Sequence, residues 1–69
     1  MEYNFGEKLK ELRIEKNIGQ VELANKLSVS KAIISLWENN LREPKLTNLI
    51  AIAKFFEVSI DYLAGLTDD

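Results

Sequence analysis

Four basic side chains in the middle third of the sequence are the groups best suited to binding a polyanion. Residues 19–45 contain four basic and three acidic residues, namely Lys26, Lys31, Arg42 and Lys45 against Glu22, Glu38 and Glu43. Residues 57–69 contain four acidic residues and no basic one. The net charge of -2 therefore hides a slightly positive middle third, and clustering of charge matters more than its sum for binding nucleic acid.

Other chemistries lack the residues that they need. The sequence has no histidine and no cysteine, which removes the commonest general base, the commonest metal ligand and any disulfide. We find no glycine-rich phosphate loop and no carboxylate pair placed in an evident cleft. The sequence therefore predicts neither an enzyme nor a metal site, and no cofactor or small-molecule ligand is evident.

The length of 69 residues predicts one small domain over residues 1–69. Such a chain buries only about 60% of the surface that its unfolded form exposes, so the core must be efficient. No apolar run approaches the roughly 20 residues of a membrane span, and the N-terminus has no apolar signal-peptide core. We therefore expect no membrane partner and a cytoplasmic location.

Apolar residues recur with helical spacing almost throughout, which predicts an all-α bundle of five short helices. The predicted helices cover about 5–16, 20–27, 31–39, 46–56 and 60–65. Asn4 (with Glu7), Ser30 and Ser59 are the predicted N-terminal caps. Lys45 directly precedes the fourth predicted helix, where a cation opposes the helix dipole. Two explanations fit it: Lys45 reaches a phosphate, or Thr47 caps a shorter helix.

The second and third predicted helices are short and are joined by only three residues. Ala24 is small where the two helices must cross, and Ile34 faces it from the third helix. Two helices locked at a steep angle leave the outer face of the second one free, and a DNA major groove accommodates one helix. The sequence thus predicts a helix-turn-helix at about residues 20–39.

The same segment, QVELANKLSVSKAIISLWENNLREP over residues 20–44, resembles the helix-turn-helix of the Xre, or lambda-repressor-like, family. The later segments LIAIAK and VSIDYL match as well, so the resemblance covers residues 5–66. No single motif is specific, but their order and spacing together are. The resemblance implies a compact five-helix DNA-binding fold.

The resemblance also implies roles for individual residues. The residues that would face the bases are Lys31, Ala32, Ser35 and Leu36, with Ile33 beside them. The residues that would contact DNA phosphates are Gln20, Ser30, Asn39, Arg42 and Lys45. Arg13 and Glu38 match a pair that joins the first and third helices as a salt bridge.

Three departures from the family pattern stand out. Gly19 replaces a capping Ser or Thr, and Ser28 replaces a glycine, which is strained if φ is positive there. The base-facing residues include only one charged side chain, Lys31, whereas bases are mostly read by Arg, Lys, Asn and Gln. We expect Lys31 to be the main polar base reader, with apolar contacts to thymine methyl groups from Ala32 and Leu36.

The resemblance implies a symmetric homodimer on a two-fold-symmetric operator, with half-sites about one DNA turn apart. The apolar residues that we assign to the dimer surface are Phe55, Ile60, Tyr62 and Leu66. The same residues are also able to complete the core of the monomer.

The leading functional hypothesis is a sequence-specific transcriptional regulator, acting as a repressor. The alternative is a protein-binding adaptor (antirepressor, antitoxin or co-regulator), which the acidic net charge and the apolar face of the third helix favour. The salt dependence of binding distinguishes the two hypotheses, because binding driven by phosphate contacts weakens steeply as the salt concentration rises.

Overall fold

Five α-helices make up the fold of residues 4–67, the part of the chain that the computed structural model describes. Their bounds are α1 Phe5–Glu15, α2 Gln20–Leu27, α3 Lys31–Glu38, α4 Leu46–Phe56 and α5 Ile60–Leu63. Residues 4–67 contain no strand, so the predicted all-α class is confirmed. The predicted domain limits, residues 1 and 69, and the acidic pair Asp68 and Asp69 lie outside the described residues. No helix among the described residues is long and apolar enough to cross a membrane.

Two of the three predicted caps are present. Ser30 Oγ accepts a hydrogen bond from the Ile33 N–H at 3.2 Å, and Ser59 Oγ accepts one from the Tyr62 N–H at 2.9 Å. Asn4 occupies the predicted N-cap position of α1 but makes no side-chain cap bond; its amide nitrogen donates instead to the Glu7 carboxylate at 2.9 Å. A cap bond would need Asn4 Oδ1 as the acceptor of a backbone N–H in the first turn, and no such bond is present.

The start of α4 decides between the two explanations considered for Lys45. The helix begins at Leu46, and the carbonyl oxygen of Lys45 accepts the Leu49 N–H at 2.9 Å. The idea that Thr47 caps a shorter helix is therefore wrong. Lys45 is the N-cap residue and makes no side-chain cap bond, which leaves its ammonium group next to a helix end that disfavours a cation.

All five helices end in the same way. A residue with positive φ follows one or two positions after each helix end, and these residues are Asn17, Ser28, Asn40, Glu57 and Gly65. The N–H of the next residue then reaches back five residues, as when Val29 donates to the Ala24 carbonyl at 2.9 Å. This is a Schellman ending, which satisfies carbonyls at the helix end. At Ser28, which the sequence analysis identified as strained if φ is positive, φ is 58°.

All five helices contribute to the core. Its ten buried apolar residues are Phe5, Leu9, Leu23, Ala24, Ile34, Trp37, Ile52, Ala53, Phe56 and Leu63. This agrees with the helical spacing of apolar residues that runs through almost the whole sequence. Trp37 packs edge-on against Phe5 with ring centroids 6.4 Å apart, so the start of α1 covers the end of α3.

Gly6 permits this close approach of α1 to α3. A Cβ atom at Gly6 would lie 2.5 Å from the carbonyl oxygen of Glu38 and 2.7 Å from that of Trp37. The Gly6 N–H also donates to Asn40 Oδ1 at 3.0 Å. The side chain of Asn40 thus satisfies a free N–H in the first turn of α1, while its backbone ends α3.

Candidate nucleic-acid interface

The predicted helix-turn-helix is present, with α2 and α3 joined by residues 28–30. Leu23 and Ala24 on α2 and Ile34 on α3 are buried, with at most 3% of their surface exposed. The small side chain of Ala24 allows the two helices to cross closely. This packing fixes the direction of α3 relative to the rest of the molecule.

None of the four predicted base-facing residues is among the buried residues of α3, which are Ile34, Trp37 and Glu38. Lys31 and Ala32 are exposed, and Ser35 and Leu36 are half-buried. We call these four residues the outer face of α3. Ile33, expected beside them, packs partly against the core. The outer face thus presents one charged group among small and apolar side chains, as the sequence predicts.

The side chain of Asn39 is hydrogen-bonded to the last turn of α3. Its side-chain amide donates to the Ser35 carbonyl oxygen at 2.8 Å and to Ser35 Oγ at 3.4 Å. The Ser35 hydroxyl is therefore held beside Asn39, a contact that the sequence analysis did not include. Both residues still lie at the surface, with Asn39 exposed.

Arg42 and Lys45 line a common groove beside α3. The groove has a volume of about 250 Å³, and Trp37, Glu43 and Asn48 also contribute to its lining. Arg42 and Lys45 are both exposed. The structure thus brings two of the predicted phosphate-binding cations together at one edge of the recognition helix.

Arg13, Gln20 and Glu38 form a hydrogen-bonded network behind the interface. The predicted ion pair is present, with Arg13 Nε 2.7 Å from Glu38 Oε2 and side chains only 13% and 4% exposed. Gln20 Nε2 donates to Glu38 Oε1 at 3.0 Å. Sequence reasoning treated Gln20 only as a phosphate contact and missed this bond, because 18 residues separate the partners.

The four residues assigned to a dimer surface differ in exposure. Phe55, Ile60 and Tyr62 are half-buried and pack against the core, whereas Leu66 is 77% exposed. The ammonium groups of Lys16 and Lys8 lie over the Phe55 and Tyr62 rings, at 5.1 Å and 4.9 Å from the ring centroids. Much of this apolar surface is therefore already used within one molecule.

Other large apolar side chains are more exposed than Phe55, Ile60 and Tyr62. Leu41 and Leu46 are 73% and 66% exposed, and Val21 and Ile14 are 57% and 54% exposed. Within residues 4–67 no group of three acidic, histidine or cysteine residues is arranged to hold a metal ion.

Comparison with known proteins places the chain in a family. The model of the helix-turn-helix family HTH_3 matches residues 9–63. The HTH-type transcriptional activator BcrR of Enterococcus faecalis is 48% identical over 59 residues, which are 86% of this chain and 29% of BcrR. The chain spans 29%, 56% and 51% of the length of three such curated relatives.

Two solved structures of similar proteins contain DNA. The P22 c2 repressor, crystallised with a synthetic operator, superposes with a TM-score of 0.84 at 37% identity, covering 88% of this chain and 94% of that chain. SinR of Bacillus subtilis, crystallised with DNA, gives a TM-score of 0.78 at 33% identity, covering 86% and 95%. With the family match over most of its length, the chain belongs to the Xre-type, lambda-repressor-like helix-turn-helix family, as its sequence predicts.

Proposed function

We propose that this chain is a sequence-specific double-stranded DNA-binding domain that regulates transcription by occupying an operator. The observation that carries the proposal is the division of α3 into a buried inner side and a projecting outer face. A helix held in this way fits a major groove. The match to a repressor and a second regulator that were both crystallised with DNA supports the same conclusion. Repression is the proposed mode, since a protein on the operator blocks polymerase.

Base reading is assigned to the outer face. Lys31 is exposed and carries the only charge there, so it is the proposed polar reader, at a guanine. Ala32 and Leu36 offer methyl groups, which suit contacts with the C5-methyl group of thymine. Ser35 is placed between them in sequence and serves either kind of base.

Phosphate contacts are assigned to residues around the outer face. The proposed set is Gln20, Ser30, Asn39, Arg42 and Lys45. Arg42 and Lys45 are the strongest candidates, because both are exposed cations that line one groove. Ser30 and Asn39 already make hydrogen bonds to α3, so they would contact DNA through their remaining polar atoms.

Two copies of the chain are proposed to bind two half-sites of a symmetric operator in the cytoplasm. One recognition helix buries little surface and gives modest affinity, which a second half-site increases. The proposed dimer surface is the C-terminal region, with Phe55, Ile60, Tyr62 and Leu66. Leu66 is its most exposed apolar side chain, and the others contribute the parts that remain accessible.

The test is selection of binding sites from random duplex DNA, followed by titration of the selected site over a range of salt concentrations. We expect a two-fold-symmetric site and an affinity that falls steeply with salt. Arg42→Ala should weaken binding to all sequences and reduce the salt slope by about one. The matched control is Lys10→Ala, which removes an exposed cation of α1.

Failure of the selection would contradict operator binding. If no site is enriched and the weak binding disappears near physiological salt, the domain does not read DNA sequence on its own. The protein-binding adaptor would then be the better explanation of the apolar outer face.

A further inference from the structure

The side chain of Gln20 is hydrogen-bonded to the buried residue Glu38. Gln20 is the first residue of α2, and its Nε2 donates to Oε1 of Glu38, the last residue of α3, at 3.0 Å. Gln20 is half-buried. The bond therefore ties together the start of one interface helix and the end of the other.

The acceptor in this bond has a fixed orientation. Arg13 donates to both oxygens of Glu38, from Nε to Oε2 at 2.7 Å and from Nη2 to Oε1 at 3.2 Å. Its third nitrogen, Nη1, donates to the carbonyl oxygen of Ile18 at 3.0 Å. A guanidinium with bonds from all three nitrogens cannot turn, and its two parallel bonds fix the plane of the carboxylate. Glu38 thus presents one oxygen to Gln20 in a defined direction.

A carboxylate only accepts hydrogen bonds, so it distinguishes the two ends of the Gln20 amide. The amide nitrogen faces Glu38 favourably, whereas a flipped amide would place its oxygen against a negative charge. Glu38 therefore determines which end of the amide points inward. Because Nε2 has two hydrogens that diverge in the amide plane, the second one points away from Glu38. Within residues 4–67 this second hydrogen has no acceptor.

We propose that Arg13 and Glu38 are positioning residues for DNA binding, which hold the Gln20 amide so that its second N–H donates to a DNA phosphate oxygen. This inference rests on the proposed function, in which Gln20 contacts the DNA backbone. It gives the ion pair a second role beyond joining α1 to α3. A bond from a fixed donor loses less conformational entropy on binding than one from a free side chain.

The surroundings of Gln20 leave room for a phosphate. Gly19 precedes it as the N-cap residue and makes no side-chain cap bond. A Cβ atom at Gly19 would have no heavy atom within 4 Å. The first N–H groups of α2 have no partner within their helix, and they belong to the same helix end as Gln20. The oriented amide of Gln20 therefore adds to a group of backbone donors with open access.

The experiment replaces single phosphates of the selected operator by methylphosphonates, which remove one charged oxygen each. Wild type, Gln20→Met and Glu38→Gln are titrated against each duplex. In wild type, one methylphosphonate near the start of α2 should weaken binding about tenfold, as expected for one hydrogen bond to a charged group. Both variants should bind the unmodified operator about tenfold more weakly and be insensitive to that methylphosphonate. Sensitivity at the phosphates of Arg42 and Lys45 should persist.

Each other outcome overturns a definite part of the proposal. If Gln20→Met abolishes the sensitivity and a folded Glu38→Gln retains it in full, Gln20 binds the phosphate without being positioned. If Gln20→Met leaves every phosphate as sensitive as in wild type, Gln20 has a structural role only and the inference is wrong. If wild type selects no operator at all, the proposed function fails first.

A second measurement does not depend on the stability of Glu38→Gln. In NMR spectra of the free wild-type protein, one side-chain amide proton of Gln20 should be protected from exchange with water and the other should not. Adding the operator should protect the second proton. Two equally exposed protons in the free protein would overturn the positioning by Glu38.

Discussion

The two sides of α3 differ sharply, although they belong to one eight-residue helix. Its inner face, Ile34, Trp37 and Glu38, is at most 8% exposed. Its outer face begins with the exposed residues Lys31 and Ala32. The same helix therefore supports the core on one side and offers a surface for binding on the other.

Each face carries a single charge, and the two charges differ in burial and in hydrogen bonding. Glu38 is buried and is bound by Arg13 and Gln20. Lys31 makes no ion pair within residues 4–67. A buried charge requires a partner inside the protein, whereas an exposed charge is available to a ligand. Changes on the inner face should therefore lower stability, and changes on the outer face should lower DNA affinity at constant stability.

The largest effect is expected for Glu38→Ala on the inner face. It should lower the free energy of unfolding by about 3–5 kcal/mol, because the mostly buried Arg13 guanidinium loses its partner. Urea unfolding followed by circular dichroism and by the fluorescence of Trp37 measures this. Glu22→Ala, which removes an exposed acid of α2, should change stability by less than about 0.5 kcal/mol. Equal unfolding midpoints for the two variants would contradict the assigned role of the inner face.

A smaller loss of stability is expected for Gly6→Ala. The new methyl group would meet the carbonyl oxygens of Trp37 and Glu38, and such overpacking costs about 1–3 kcal/mol. Helix propensity alone favours alanine over glycine by about 0.5–1 kcal/mol. The two effects act in opposite directions, so a lower free energy of unfolding in Gly6→Ala would show that the steric clash dominates. Gly19→Ala, at an open site, is the control and should have the smaller effect. A stabilised Gly6→Ala protein would show that α1 and α3 do not approach so closely.

On the outer face, Lys31→Ala should leave the unfolding free energy unchanged. It should lose about 1–3 kcal/mol of discrimination at one base pair of the selected operator, since one base-edge contact is removed. Competition titrations with operators substituted at each base pair measure this. Lys10→Ala on α1 should keep the full preference at every base pair. A uniform loss across all sequences would instead make Lys31 a phosphate contact.

The parts of this structure that could be predicted from sequence depend on neighbouring residues. The bounds of α2 and α4 and the caps Ser30 and Ser59 follow from apolar spacing and from side chains three residues away. The sequence at the helix ends contains a further local signal for where each helix stops. The residue after each positive-φ residue is apolar, in the order Ile18, Val29, Leu41, Val58 and Leu66.

Contacts between distant residues could not be predicted in this way. The bond from Gly6 to Asn40 spans 34 residues, and no periodicity indicates that α1 approaches the end of α3. The second role of Gln20 likewise depends on how α2 and α3 cross. At the outer face, the resemblance identifies which residues face outward, but their assignment to individual bases and phosphates stays a prediction. That assignment depends on the DNA as much as on the protein.

The smallest effect is expected at the turn between α2 and α3. Ser28 has a φ of 58°, a conformation that costs a residue with a Cβ atom roughly 1–2 kcal/mol. Ser28→Gly should therefore raise the free energy of unfolding by about 1 kcal/mol, measured by urea unfolding, whereas Ser28→Ala should give no such gain. Operator affinity should be unchanged in both variants, because Ser28 lies outside both faces of α3. If Ser28→Gly is more stable yet binds the operator more weakly, the stiffness of this turn helps to place the outer face, and stability and recognition are not separable at that residue.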